Sequence, residues 1–181
     1  MAAAPDSELI VRVVEHADRD AFDLLVRRHQ SAVRALLRRL TCGDHALADD
    51  LAQDTFLRAY LKLHTFRGDS ALASWLYRIA YNLFLGEVRR RGPLRPALDG
   101  LPEPESPRPR EEALLLDLER AMAGLSEAER AALDLCYKKD LSHQEAAWVL
   151  DCPVGTVKTH VLRGKEKLRR LLAPGPGKVT P

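Results

Sequence analysis

Residues 141–172, LSHQEAAWVLDCPVGTVKTHVLRGKEKLRRLL, contain the pattern that decides the fold of the C-terminal part of this chain. Ser142-x-x-Glu145 matches a capping box, which predicts that a short helix begins there. Asp151 and the residue after it form a turn, and Pro153 suits the first turn of a second helix, where its missing N–H costs little. Because two helices joined by so short a turn must cross steeply, the pattern predicts a helix-turn-helix.

The side chains of these two helices divide into a packing set and an outward set. The packing set is small and apolar, which allows close approach: Ala146, Ala147, Val149, Val154, Val157 and Val161. The outward set on the second helix has the chemistry to reach base edges and phosphates in a major groove: Lys158, Thr159, Leu162, Arg163 and Lys165. The alternative is a solvated basic face that closes a helical hairpin. Cap, turn and cationic second helix together favour DNA binding.

Upstream of this motif, the segment 92–110, GPLRPALDGLPEPESPRPR, interrupts the helical patterns. Six of its nineteen residues are proline, which predicts a semi-extended linker that spans on the order of 60 Å at roughly 3.1 Å per residue. The chain is therefore expected to contain an N-terminal domain (1–91), this linker (92–110), a C-terminal domain (111–173) and a flexible tail (174–181). Two domains joined by such a linker can bind to separate sites.

Before the linker, apolar residues recur at three- and four-residue steps over 22–40, 51–63 and 72–83, which predicts three amphipathic helices. Leu57, Tyr60 and Leu61 belong to the apolar face predicted for the second of these. Asp44 and Asp69 suit helix starts. After the linker, a helix is predicted over 114–123, and capping boxes mark starts at residues 126 and 142. The fold class is therefore all-α, with two small helical domains.

Composition excludes several classes of protein. Of 181 residues, 46% are hydrophobic, 6% aromatic and 30% charged, and the net charge is +2. This balance indicates a globular helical chain in which a polyanion site must come from local clustering of cations. Without a long apolar run, neither a signal peptide nor membrane insertion is predicted. Three cysteines without a C-x-x-C pair predict no disulfide framework, no zinc finger and a cytoplasmic location.

A second candidate surface lies on the helix that contains residues 75–91, WLYRIAYNLFLGEVRRR. Helical spacing places on one face Arg78, Tyr81, Asn82, Leu85 and Arg89, and Arg67 lies in the loop before the helix. Aromatic rings with cations hold unstacked bases, and an asparagine pairs with a base edge, so this face suits single-stranded DNA. The competing interpretation places the aromatic residues in the core and leaves the arginines solvated. For Trp75, core burial and DNA contact stay equally open.

Three stretches together resemble a known family. They are DAFDLLVRRHQ (20–30), ADDLAQDTFLRAYLKLHTFRGDSALASWLYRIAYNL (48–83) and PVGTVKTHVLRGKEKLRRLL (153–172). In this order, with a Pro-rich linker before the last, they resemble an extracytoplasmic-function (group IV, RpoE-like) sigma factor over about residues 8–173. The resemblance implies that the first domain binds the clamp of bacterial core RNA polymerase and melts the minus-10 promoter element, and that the second reads the minus-35 element.

The resemblance also implies roles for individual residues. The polymerase-clamp surface is matched by Asp50, Gln53, Asp54 and Phe56, and the base-reading positions of the recognition helix by Lys158, Thr159, Leu162 and Arg163. Asn82 matches the residue that receives a flipped minus-10 base. The implied partners are core polymerase, promoter DNA and an anti-sigma factor, with the chain a monomer within the holoenzyme. Asp151 departs from the family pattern, which usually has glycine at this turn.

Two alternatives remain for the function. An autonomous helix-turn-helix regulator would share the second domain and use the first for ligand binding or dimerisation. A helical interaction adaptor would leave the cationic recognition helix unexplained. The sequence contains no P-loop, H-E-x-x-H, dinucleotide fingerprint or nucleophile elbow, so we expect no catalytic residues, no metal, no cofactor and no enzyme activity.

Overall fold

The computed structural model describes residues 4–92, 118 and 120–172, and regular structure in these ranges is helical, without strands. The helices are α1 (Asp6–His16), α2 (Arg19–Leu40), α3 (His45–Lys62), a 3-10 turn (Leu63–Thr65), α4 (Leu72–Arg91), α5 (Glu127–Tyr137), α6 (His143–Leu150) and α7 (Val154–Leu172). Residues 120–123 are also helical. The all-α prediction is confirmed. The predicted linker, from residue 93 onward, and the tail lie outside the described residues.

Side-chain caps explain where most helices begin. Asp44 accepts a hydrogen bond from the backbone N–H of Leu47 at 3.0 Å, and Ser126 and Ser142 each form a complete capping box. These three predicted starts are confirmed. The start predicted at Asp69 is wrong: α4 begins at Leu72, after Ala71, without a side-chain cap.

Helices α1–α4 form an N-terminal bundle in which α2 packs against α1, α3 and α4. Its centre contains Leu36, Leu37 and Phe84, all almost completely buried. Full burial of such side chains contributes roughly 1.5–3 kcal/mol each, so this core stabilises α4 directly. The bundle therefore holds the aromatic and basic helix in place.

Helices α5–α7 form a C-terminal bundle with the predicted helix-turn-helix as its second half. Val149, Val157 and Val161 are buried between α6, α7 and α5. Gly164 is buried as well, and a Cβ atom there would lie 2.7 Å from Cδ1 of Leu133 on α5. The glycine therefore allows α7 to approach α5 closely, which offsets its helix-propensity cost of roughly 1 kcal/mol relative to alanine.

The two bundles pack against each other. Helix α2 contacts α5, helix α4 contacts α6, and the buried apolar residues of both bundles form one connected cluster. The sequence indicated two bodies that face separate sites and gave no sign of this contact. The structure thus adds a contact between α4, which carries one candidate DNA surface, and α6, the first helix of the helix-turn-helix.

Candidate nucleic-acid interface

Helix α7 has one buried face and one exposed face. Val157, Val161 and Gly164 pack inward, while the exposed side chains are Lys158, Thr159, Leu162 and Arg163. Leu162 is 57% exposed, although it is a large apolar residue. The Thr159 hydroxyl donates to the carbonyl of Gly155 at 2.9 Å, so its oxygen keeps its acceptor capacity. This face offers hydrogen-bond donors, an acceptor and an apolar contact along one side of a helix.

Lys165 differs from the other members of the outward set because an aromatic ring positions it. Its ammonium lies 4.4 Å from the ring centroid of Tyr137, which is itself 52% exposed at the end of α5. A cation over a ring face within about 6 Å is attracted by the ring quadrupole. Sequence analysis missed Tyr137, since nothing in its spacing relates it to a residue 28 positions later.

The turn between α6 and α7 is formed by Asp151 in the left-handed region, with φ 53° and ψ 47°. Aspartate tolerates this conformation better than most residues. The backbone N–H groups of Asp151 and Cys152 both donate to the carbonyl of Ala147 and so cap α6. Cys152 is half-buried, packs against the core and, through burial, has a raised thiol pKa. It behaves as a small packed hydrophobe.

On α4 the candidate residues differ in accessibility. Asn82 and Arg89 are exposed, as is Arg67 in the loop before the helix. Tyr81 is only 5% exposed, and burial raises the pKa of its hydroxyl to about 12. Its ring is therefore not presented for stacking in this arrangement. Trp75 is half-buried and meets Phe66 edge to face, with ring centroids 5.5 Å apart.

Arg78 is a candidate DNA residue of α4 that binds the helix-turn-helix. Its Nη2 donates to Oδ1 of Asp151 at 2.8 Å, and its guanidinium lies 4.8 Å from the ring centroid of Trp148 on α6. A groove of about 410 Å³ runs beside this contact, lined by Phe66, Trp75 and other residues of both bundles. The candidate minus-10 surface therefore adjoins the candidate minus-35 domain.

Helix α3 carries the residues that the resemblance assigns to the polymerase clamp. Asp50, Gln53 and Asp54 are exposed. Phe56 is partly buried and packs against the core, so only part of its ring is available to a partner.

The same helix also presents apolar side chains to solvent. The apolar face predicted for it included Leu57, Leu61 and Tyr60, and these side chains are 59%, 62% and 37% exposed. Spacing shows that residues share a face, but not whether the chain's own core covers that face. An exposed apolar strip beside three polar side chains is typical of a protein-binding surface.

The described residues contain no cluster of histidine, cysteine or carboxylate side chains suited to a metal ion. Among the described helices, none is both long and apolar enough to cross a membrane.

Comparisons with known proteins agree with this geometry. Residues 25–93 match the family model "Sigma-70 region 2", and residues 115–168 match "Sigma-70, region 4". The RNA polymerase sigma-H factor of Pseudomonas aeruginosa is 36% identical over 93% of this chain and 94% of its own length. The ECF RNA polymerase sigma-E factor of Haemophilus influenzae is 32% identical over 96% of this chain and 99% of its own length.

Two solved structures are also similar. The sigma factor RpoE in complex with the anti-sigma factor NepR from Bartonella quintana has a TM-score of 0.68 and 31% identity, and covers 83% of this chain and 96% of its own. CnrH in complex with the cytosolic domain of CnrY has a TM-score of 0.69 and 26% identity. The match covers 92% of this chain and 96% of the CnrH chain. With both sigma regions present in order and relatives matched over nearly their whole length, the chain belongs to the extracytoplasmic-function sigma factors.

Proposed function

We propose that this chain binds bacterial core RNA polymerase and directs it to promoters by reading the minus-35 element with α7 and melting the minus-10 element with α4. It acts in the cytoplasm, as a monomer within the holoenzyme, and supplies recognition while polymerase supplies catalysis. The observation that carries this proposal is the exposed face of α7, which lies opposite the buried Val157 and Val161. The side chains exposed there are Lys158, Thr159, Leu162 and Arg163.

The domain boundaries proposed for this function follow the helical groups. Residues 1–91 form the clamp-binding and minus-10 domain, 92–110 the linker, and 111–173 the minus-35 domain. The described bundles, α1–α4 and α5–α7, support this division.

For the minus-35 element, α7 acts as the helix that enters the major groove. Arginine is suited to bidentate hydrogen bonds with guanine, and a leucine side chain to the thymine methyl group. Arg163 and Leu162 therefore supply base readout, and Thr159 adds an acceptor. Lys158 and Lys165 contribute base or phosphate contacts beside them, the latter held in place by Tyr137.

For the minus-10 element, Asn82 holds a base removed from the stack. Extrusion costs a few kcal/mol, which hydrogen bonds to the exposed base edge can offset. Asn82 offers a donor and an acceptor on the exposed side of α4. Arg67, Arg78 and Arg89 bind the neighbouring phosphates, and Tyr81 stacks on a base only if α4 is uncovered.

For polymerase binding, α3 combines charge with apolar area. Asp50, Gln53 and Asp54 supply acidic and hydrogen-bonding groups. Leu57 and Leu61 supply exposed apolar surface that is removed from water when polymerase binds. Electrostatic complementarity then orients the encounter, while apolar burial provides much of the affinity. An anti-sigma factor is a further proposed partner, since both similar solved structures carry such a regulatory chain or the cytosolic domain of a partner protein.

Transcription from a genomic fragment library, with core polymerase and with or without this chain, tests the proposal. We expect promoter-specific transcripts only when both are present, sharing motifs near positions −35 and −10. DNA binding with unchanged transcription would instead identify an autonomous helix-turn-helix regulator. As a matched pair, Asp50→Arg/Asp54→Arg is expected to abolish the transcripts, and Asp20→Arg/Asp23→Arg on exposed positions of α2 is expected to retain them.

A further inference from the structure

We propose that Glu166 on α7 is a further specificity-determining residue of the minus-35 surface, where its carboxylate accepts a hydrogen bond from the N4 amino group of a cytosine. This inference rests on the proposed function, because it adds one base contact to the helix that reads the minus-35 element. The outward set inferred from the sequence consists of other residues and does not include Glu166. The direction of its side chain, the packing of α7 on α5 and the pairing of the neighbouring cations support the inference.

Glu166 lies on the face of α7 that presents the candidate base-reading residues. It is exposed, as are Thr159, Leu162 and Arg163. Thr159 is seven residues earlier, and at 3.6 residues per turn the two positions differ by only about 20° around the helix axis. Side chains of an α-helix tilt toward its N-terminus, so the carboxylate extends toward the turn that contains Leu162 and Arg163. Glu166 therefore shares both the direction and the exposure of the reading face.

Close packing of α7 on α5 fixes the direction of this face. Gly164 is buried, and a Cβ atom at its position would lie 2.7 Å from Cδ1 of Leu133 on α5. Val157 and Val161, earlier on α7, are buried as well. Because packed interiors leave little room for a helix to rotate, the side of α7 opposite these residues stays outward. Glu166 is thus presented by a rigid element.

The two lysines that flank Glu166 in the sequence are both bound by α5. The ammonium of Lys165 lies 4.4 Å from the ring centroid of Tyr137. The Nζ of Lys167 donates to Oε2 of Glu129 at 2.7 Å, and the Glu129 side chain is only 6% exposed. Burial opposes ionisation of Glu129, but hydrogen bonds, first of all the one from Lys167, outweigh burial and lower the pKa of this carboxyl. Neither lysine is therefore free to pair with Glu166.

The Glu166 carboxylate has no ion-pair partner among the residues that the structure describes. Arg170 lies one turn later, where a glutamate–arginine pair is favourable, but its Nε donates to the backbone carbonyl of Glu166 at 3.4 Å. An unpaired carboxylate on a helix that enters DNA is repelled by the phosphates. A hydrogen bond from a base is an interaction that offsets this repulsion when DNA binds.

The chemistry of a carboxylate restricts the bases that Glu166 can read. An ionised carboxylate accepts hydrogen bonds and donates none. In the major groove cytosine presents the N4 amino donor, whereas thymine presents the O4 acceptor and guanine the O6 and N7 acceptors. Adenine presents its N6 donor beside the N7 acceptor, so a carboxylate there also meets a lone pair. We therefore expect Glu166 to favour cytosine and to reject thymine and guanine.

The spacing along α7 predicts where this cytosine lies. Arg163 and Glu166 are three residues apart, which is about 4.5 Å of helix rise, and successive base pairs are about 3.4 Å apart. The cytosine should therefore lie one or two base pairs from the position that Arg163 reads. Because the two residues act at different positions, one selection experiment can tell them apart.

The test compares Glu166→Gln with the control Asp140→Asn. Each variant replaces one exposed carboxylate of the C-terminal bundle by an amide of similar shape, so the net charge changes equally. Glutamine keeps an acceptor but adds a donor, and asparagine at position 140 tolerates the local φ of 52°. Minus-35 sequences are selected from randomised duplexes with each holoenzyme. The affinities for the four bases at the cytosine position are then measured.

We expect wild-type holoenzyme to select cytosine at this position. Glu166→Gln should lower the preference for cytosine over thymine by about tenfold there and at no other position, the scale of one good base contact. The variant should bind a duplex of unrelated sequence at least as tightly as wild type, because a charge that the phosphates repel is gone. Glu166→Ala should relax the same position, and Asp140→Asn should match wild type. Far-UV circular dichroism establishes that all four proteins are equally helical.

Unchanged base preference in Glu166→Gln would overturn the inference. This holds even if its affinity for all duplexes rises together, because a uniform change identifies a repulsive charge alone. The lack of a wild-type preference for cytosine within two base pairs of the Arg163 position would overturn it as well. Failure of the proposed function is distinct, because wild-type holoenzyme would then select no shared minus-35 motif.

Discussion

Helices α4 and α7 are both candidate DNA helices, but they are not equally available. On α7, Lys158, Thr159 and Arg163 project into solvent. On α4, Tyr81 is buried and Arg78 is bound to Asp151. Asn82, which lies next to them on the helix, is exposed. The difference indicates that the candidate face of α7 is fully presented in the described arrangement, whereas part of the candidate face of α4 is occupied by contacts within the chain.

The largest expected effect comes from Asn82→Ala on α4. Loss of the base partner should reduce permanganate-detected melting and transcript yield on a duplex promoter by about 10- to 100-fold, since the unpairing cost of a few kcal/mol is no longer offset. Polymerase binding should be unchanged. Gly86→Ala, one turn away and with open space around it, is the control.

A promoter mismatched across the minus-10 element separates this role from a structural one. It should restore part of the loss caused by Asn82→Ala, because its bases are already unpaired. Normal melting of the duplex by the variant would make Asn82 an ordinary surface amide.

The next effect is on α7. Arg163→Ala should reduce the free energy of discrimination between bases by about 1–3 kcal/mol at one position of the minus-35 element, as loss of a base contact does. Selection of minus-35 sequences with holoenzyme measures this, with Arg169→Ala on the exposed end of the same helix as control. Uniform weakening across all sequences would identify Arg163 as a phosphate contact.

A smaller effect tests whether Tyr137 positions Lys165. Tyr137→Leu removes the ring beneath the ammonium, and an exposed cation–π contact contributes about 0.5–1 kcal/mol. We expect minus-35 affinity to fall by about two- to fivefold, with little further loss when Lys165→Ala is added. Independent, additive losses would show that the ring and the lysine act separately.

The smallest effect is a pH dependence at Asp134, whose buried carboxylate lies 2.8 Å from Arg39 of the other bundle. Since burial raises the pKa of Asp134 in the folded protein, the folded state favours its neutral form. This contribution to stability is complete below the ordinary carboxyl pKa and is lost as pH rises through the raised value. The free energy of unfolding of Asp134→Asn, relative to wild type, should therefore increase from about pH 4 upward. Urea unfolding at several pH values measures it, and a pH-independent difference would contradict it.

Much of the fold follows from local chemistry that can be read in the sequence. Ser126 and Ser142 cap helices because the glutamate three residues later completes each box, and the turn at Asp151 follows from the short spacing between two apolar helices. The predicted start of α4 was wrong because an aspartate is compatible with a helix start but does not require one. The helix begins instead at Leu72, whose side chain is buried.

The parts that sequence did not predict depend on distant partners. Periodicity grouped Leu57 and Leu61 with the apolar face of α3, but which surface covers them depends on other helices. Arg130 binds a carbonyl 90 residues away, and no local pattern distinguishes it from a basic side chain that faces solvent. Tyr81 is likewise buried by packing that its spacing in the sequence does not reveal.

The most direct test of the account is the distance between the bundles in the free chain and in the promoter complex. Spin labels introduced by amber suppression at Arg27 on α2 and Arg169 on α7, both exposed, leave the native cysteines in place. Double electron–electron resonance should give a single short distance for the free chain. With core polymerase and promoter DNA, that distance should increase by on the order of 30 Å or more, because the two elements lie about 85 Å apart. The same distance in both states would contradict the account.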